Sequence, residues 1–283
     1  MRLGLVLILI TLSGALASAK ISVEAPLTVT TGVPSWESSF KKTVASLKQA
    51  NTYPADGYTE CRETVEIPNA FLCLYNTQRG MNSALARSSF YIEGTGGQKG
   101  VIPKQNDRSL ESMKSKIGGH DLKGVDLLRF DHASTAACSA GGKDVNVCNN
   151  SYEEDVFINL IRPETQKSSK FVLITFASQS NMDWREVVTH EILHAQYFND
   201  ARFQEIADRF WDKDMTEPER ESVRNALERY YDKSDELLMK NEFQAYMLMA
   251  GAEYNQLASF VPKYRARLLK YLSDAGIAPI QVK

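Results

Sequence analysis

"WREVVTHEILHAQYFND", residues 184–200, holds two of the chain's four histidines, four positions apart, with a glutamate directly after the first. On an α-helix, positions four apart lie about 40° from each other and one turn along, so His190 and His194 project side by side. The uncharged Val187, Val188, Ile192, Leu193 and Ala195 around them predict a largely buried helix over 184–198, capped by Asp183. Two imidazoles so placed can reach one zinc ion at about 2.0–2.1 Å each. Glu191, rotated by about 100°, stands beside such an ion without having to bind it, which suits a base acting on water. A chance H-E-x-x-H arises in about four chains per thousand of this composition, so the surroundings must decide.

Upstream, 171–177 reads "FVLITFA", rich in β-branched and aromatic residues, and predicts a strand. The apolar runs at 125–131 and 156–162 are read as two further strands. A surface helix is expected over 35–50, where Trp36, Phe40, Val44 and Leu47 recur at helical spacing. The Gly- and Lys-rich stretch 94–124 reads as a long loop with one short helix at 110–116. From 183 onward the pattern is helical: 201–212, 217–232 behind a Thr216–Glu219 capping box, 235–250 capped by Ser234, and 256–274. Strands in the N-terminal half and helices in the C-terminal half make an α+β fold.

With this pattern assembled, the chain resembles the zincin metallopeptidases, whose helix carries the same His-Glu-x-x-His. The flanks V-V-T before His190 and I-L between the histidines fit that family's extended motif, while Gln196 stands where an apolar residue is usual. The resemblance covers this helix and, more loosely, the C-terminal 100 residues. It implies one zinc ion on His190 and His194, Glu191 as general base and proton donor to the leaving amine, and "FVLITFA" as the substrate-binding edge strand.

The resemblance also frames the third ligand. In the metzincin branch it falls on Asp200, but that branch turns the chain with a glycine where this chain has Tyr197. In the gluzincin branch it is a glutamate on a later helix, matched by "KNEFQAYMLMAG": Asn241, then Glu242, 48 residues beyond His194. Glu242 is the expected ligand, because a lone carboxylate in an apolar stretch requires a partner. Asp200 is the alternative, with Glu205, Glu236 and Glu253 behind it. The thermolysin-like aspartate four residues after this glutamate is Tyr246 here, leaving Asn241 as the local candidate for orienting a ligand. Tyr246, Tyr254 and Tyr197 are the candidate oxyanion donors, Tyr246 first among them. His120 and His132 lie outside any motif.

The chain begins MRLGLVLILITLSGALASAK, with Arg2, an apolar run from Leu3 to Leu12 and a small-residue site at Ala17–Ala19. That is the layout of a secretory signal peptide over 1–19. Its apolar run is too short for a membrane span of about 20 residues. The expected product is extracytoplasmic, secreted or periplasmic, and without a stable membrane anchor. The remaining 264 residues carry 32 basic against 35 acidic side chains, which gives no basic stripe for nucleic acid. Cys61, Cys73, Cys138 and Cys148 are expected to form the local disulfides Cys61–Cys73 and Cys138–Cys148. Residues 20–120 are read as an N-terminal subdomain or a pro-segment, and 121–283 as a zincin-like catalytic region. The functional expectation is a monomeric zinc endopeptidase acting on protein or peptide substrates. The alternatives are a catalytically silent zincin-fold binding protein and a zinc amidase acting on cell-wall peptides.

Overall fold

A computed structural model describes residues 57–64, 67–94, 98–108, 110–111, 117–140, 144–179, 184–249 and 256–280. The expected signal peptide, the helix over 35–50, the Asp183 cap and most of the helix over 110–116 lie outside the described residues. The fold is α+β and rich in helix. Strands β1 (Tyr58–Glu63), β2 (Ala70–Thr77), β3 (Gly119–Lys123) and β4 (Val172–Gln179) form one sheet in the order β1-β2-β4-β3. β2 and β4 run parallel, while β1 and β3 are antiparallel edges. Helix α1 (Gln78–Glu93) follows β2, and α2 (Gly124–Ala140) follows β3. Next come α3 (Ser151–Val156), a π turn (Phe157–Ile161) and α4 (Arg162–Lys167). After β4 the chain is helical: α5 (Trp184–Asn199), α6 (Ala201–Arg209), α7 (Glu217–Leu227), α8 (Glu236–Leu248) and α9 (Val261–Asp274).

The sheet separates two apolar layers. Phe71, Cys73 and Leu173 point to one face, where Leu85 of α1, Leu127 and Phe130 of α2 and Phe157 pack. Leu72, Leu74, Ile174 and Phe176 point to the other, against Val188, Ile192 and Ala195 of α5. Burial on both faces explains why "FVLITFA" is an unbroken apolar run, and it corrects one expectation. β4 is a central strand, and the edge beside α5 is β3. The opposite flank of α5, Leu193 and Tyr197, joins a helical core built on Phe203, Phe210, Trp211 and Phe243. α5 is therefore wedged between the sheet and the C-terminal helices. Truncating Ile192 to alanine in this wedge would cost about 2–5 kcal/mol.

Two other expected strands are helices. Residues 125–131 belong to α2, where Leu127, Phe130, Asp131 and Ser134 are buried at the three- and four-residue spacing of a helix. Residues 156–162 continue α3 through the π turn, from a start that Asn150 and Glu153 fix with a reciprocal capping box. Short apolar runs fit both periods, and packing against the sheet decides between them. β1 and β2 join through a turn in which Asn69 takes φ 67°, and β3 crosses the boundary near residue 120. The Thr216–Glu219 capping box forms as expected, but α7 ends at Leu227. The cap of α8 is Asp235 rather than Ser234. Both expected disulfides form, Cys61–Cys73 between directly opposed residues of β1 and β2, and Cys138–Cys148 between α2 and the segment before α3. Two disulfides fit an oxidising compartment. Among the described residues no helix is long and apolar enough to cross a membrane.

Gln196, the departure from the apolar motif, faces the C-terminal segment. Its Nε2 donates to the Ala278 carbonyl, and its Oε1 accepts from the Ile280 amide, both at 3.0 Å.

Candidate metal centre

At the middle of α5, His190 and His194 turn Nε2 towards Nε2 at 3.0 Å. Glu242, near the centre of α8, brings Oε2 to 3.5 Å from His190 Nε2 and Oε1 to 3.8 Å from His194 Nε2. For ligands about 2.0–2.1 Å from zinc, a tetrahedral edge is about 3.3 Å, close to these separations. All three residues are at least nine-tenths buried. Both Nδ1 atoms and Glu242 Oε2 have no hydrogen-bond partner among the described residues. Burial drives both imidazoles down to about 4, so they are neutral and have a free lone pair at neutral pH. Two neutral imidazoles and a carboxylate with an orphaned buried oxygen fit a zinc ion.

Glu191 lies on the sheet side of the histidines, beside β3. A Cβ on Gly119 would stand 2.5 Å from Glu191 Oε1 and 2.8 Å from the Thr175 carbonyl, so glycine is what admits the carboxylate there. Asp121, two residues along the same face of β3, hydrogen-bonds Glu191. Its Oδ2 stands 3.8 Å from His194 Nδ1, too far for a hydrogen bond. Burial, then the charges of Glu242 and Glu93, hold Glu191 well above the usual carboxylate range. Burial and Glu191 do the same to Asp121. Among the described residues no lysine or arginine forms an ion pair with Glu191, Glu242 or Asp121. Buried carboxylates without a cation stay protonated or take a metal. A divalent ion would reverse these shifts.

Tyr246, one turn beyond Glu242, lies with its ring 4.5 Å from that of His190, centroid to centroid. Its hydroxyl is 3.3 Å from that of Tyr231, which reaches Glu242 from the turn after α7. Asn241 adjoins His194, and Gln244 Nε2 holds Asn241 Oδ1 at 3.1 Å.

The alternative ligands are elsewhere. Asp200 is the N-cap of α6, accepting from the amides of Arg202 and Phe203. Glu205 is exposed, and Glu236 is bound by Trp211 Nε1 and Arg224. Tyr197 donates to Asp208 Oδ1 at 2.5 Å, away from the histidines. Glu253 and Tyr254 lie outside the described residues. His132 is exposed, whereas His120 is a satisfied core residue between Ser89 Oγ at 2.6 Å and Asn82 Oδ1 at 2.9 Å.

Glu93, Gly119, Asp121 and Tyr231 were not legible as site residues. They come from a helix end, a strand inside an expected loop, and a turn read as the end of a helix. Compared with protein-family models, curated proteins and solved structures, the chain matches none.

Proposed function

We propose that the chain is an extracytoplasmic zinc-dependent peptidase of the zincin type, acting on protein or peptide substrates. The observation that carries this reading is the meeting of His190, His194 and Glu242 from two helices, with Glu191 set beside them against an edge strand. When bound by these three residues, zinc supplies a Lewis acid that acidifies water and polarises a peptide carbonyl. Glu191 takes the proton of the attacking water on its carboxylate and returns it to the leaving amine. Glu191, Asp121 and Glu242 repel one another, and with a cation held here Glu191 would stand ionised as the base.

The hydroxyls of Tyr246 and Tyr231 lie 3.3 Å apart, with Tyr231 reaching Glu242, and are the donors available to a developing oxyanion. β3 ends the sheet, so its outer edge offers backbone groups to an extended peptide, and Gly119 and Asp121 bring that peptide past Glu191. Glu191 distinguishes this reading from a silent binding protein, since such a protein needs no base. Substituting Glu191→Gln keeps size and hydrogen bonding but removes the base. We expect zinc content to be retained and peptide hydrolysis to fall by roughly 10²–10⁴-fold. Hydrolysis by the glutamine variant at the wild-type rate would sink the reading.

A further inference from the structure

Beside the metal centre lies a cavity of about 310 Å³ between the end of α1, the end of β3 and the start of α8. Asn241, which precedes Glu242, lines it. Lys123, the last residue of β3, lines it too, so a peptide lying along that edge passes its mouth. Its apolar wall includes Tyr91, Phe198 and Leu238. Its charged groups are Glu93, Lys99, Lys123, Asp126, Arg129 and Asp235.

These charges do not pair evenly. Lys99 is held by Asp235 at 2.5 Å. Asp126 takes two cations, Arg129 at 2.6 Å and Lys123 at 3.4 Å. Glu93 is left with no ion pair and no hydrogen bond among the described residues; it is half-buried in the cavity wall, within electrostatic reach of Glu242 and Lys99. Every base in the cavity is already engaged, and one acid is not.

We infer that this cavity is the subsite for a cationic group of the peptide substrate, an ammonium or guanidinium, with Glu93 as the specificity-determining carboxylate. The inference rests on the peptidase reading. A lysine or arginine side chain lays its aliphatic stem along Tyr91, Phe198 and Leu238 and sets its charged head on Glu93. An acidic side chain gains no such partner at Glu93, which burial and the charge of Glu242 raise to about 8, and is disfavoured there.

The test uses the zinc-loaded full chain and N-acetylated peptides matched except at one residue near the scissile bond: lysine, ε-acetyl-lysine, norleucine or glutamate. At one position, kcat/KM for lysine should exceed that for norleucine or ε-acetyl-lysine by roughly tenfold to a hundredfold, with glutamate poorest. Glu93→Gln, checked for wild-type zinc content and melting temperature, should bring lysine and norleucine together. Cleavage of all four peptides without a cationic preference would overturn the subsite and leave the peptidase reading standing. So would a preference for glutamate. A parallel set with free amino termini separates the two sources of the cation. A preference confined to that set, and lost in Glu93→Gln, would assign the group to the peptide's α-ammonium. Failure of every peptide would sink the peptidase reading. Argininamide binding then tests the subsite separately: wild type should bind it over citrullinamide and Glu93→Gln should not. Equal binding of the two amides overturns the subsite.

Discussion

Arg87 and Glu153, on the sheet face covered by α1 and α3, have side chains 2% and 0% exposed and meet at 2.7 Å. Arg87 also donates to the carbonyls of Pro103, Val147 and Cys148, and stacks over Phe130. Glu153 has further partners, since the same Oε2 accepts from Gln105 Nε2 and from the Asn150 amide, while its Oε1 has no hydrogen-bond partner among the described residues. On the other face, Glu242 and Glu191 are as deeply placed, with Asp121 beside them, and among the described residues no guanidinium or ammonium meets them. One burial is compensated from within the chain. The other is not, so its carboxylates stay protonated or take a cation from outside, and two neutral imidazoles stand beside them. Buried charge alone does not mark a site; buried charge without an internal partner does.

The largest effect expected falls on the compensated side. Arg87→Ala leaves Glu153 buried without a cation, and should cost about 3–5 kcal/mol in denaturant unfolding. Joint replacement by Arg87→Met and Glu153→Leu should recover most of that loss. A cost below about 1 kcal/mol for the alanine variant would break the comparison, because the pair would then contribute no more than a surface one.

A smaller effect, and one on rate, is expected at Gly119. The methyl of Gly119→Ala displaces either Glu191 or β3, and a shift near 1 Å in a reacting group costs up to about 10²-fold. We expect kcat to fall by about tenfold to a hundredfold with zinc stoichiometry intact. Loss of zinc together with rate would mean that Glu191 and the ligands are one packed unit rather than base and holder.

The last effect is a slope. His120 is buried between Ser89 and Asn82, and burial drives it down to about 3 from its ordinary 6.5. Between those values the unfolded chain takes up a proton that the folded chain does not, so stability falls as pH drops from 6.5 towards 3. Urea unfolding of His120→Gln across that range should show a flatter dependence than wild type. An unchanged slope would mean that the folded protein accepts the charge.

What was legible in the sequence was local. His190, Glu191 and His194 lie within one and a half turns, and Glu242 is preferred over Asp200 because an acid amid Phe243, Tyr246 and Met247 requires a partner, whereas Tyr197 stands where the turn towards Asp200 would want glycine. The capping residues Thr216 and Glu219 and the two disulfide pairings were legible for the same reason. The strand order was not. Residues 125–131 and 156–162 are short apolar runs whose period fits strand and helix alike, and only packing against β2 and β4 separates them. Gly119 and Asp121 acquire their meaning from the pairing of β3 with β4, and Tyr231 from the early end of α7, neither of which is written in neighbouring residues.

The proposed zinc site stands or falls with Glu242 completing it beside His190 and His194. Zinc titration of the metal-free chain, read by calorimetry and by elemental analysis after dialysis, tests this directly in wild type, Glu242→Ala and Asp200→Ala. We predict one tightly held zinc per chain in wild type and in Asp200→Ala, and loss of that zinc on dialysis in Glu242→Ala. One zinc retained by Glu242→Ala at wild-type affinity would contradict the account.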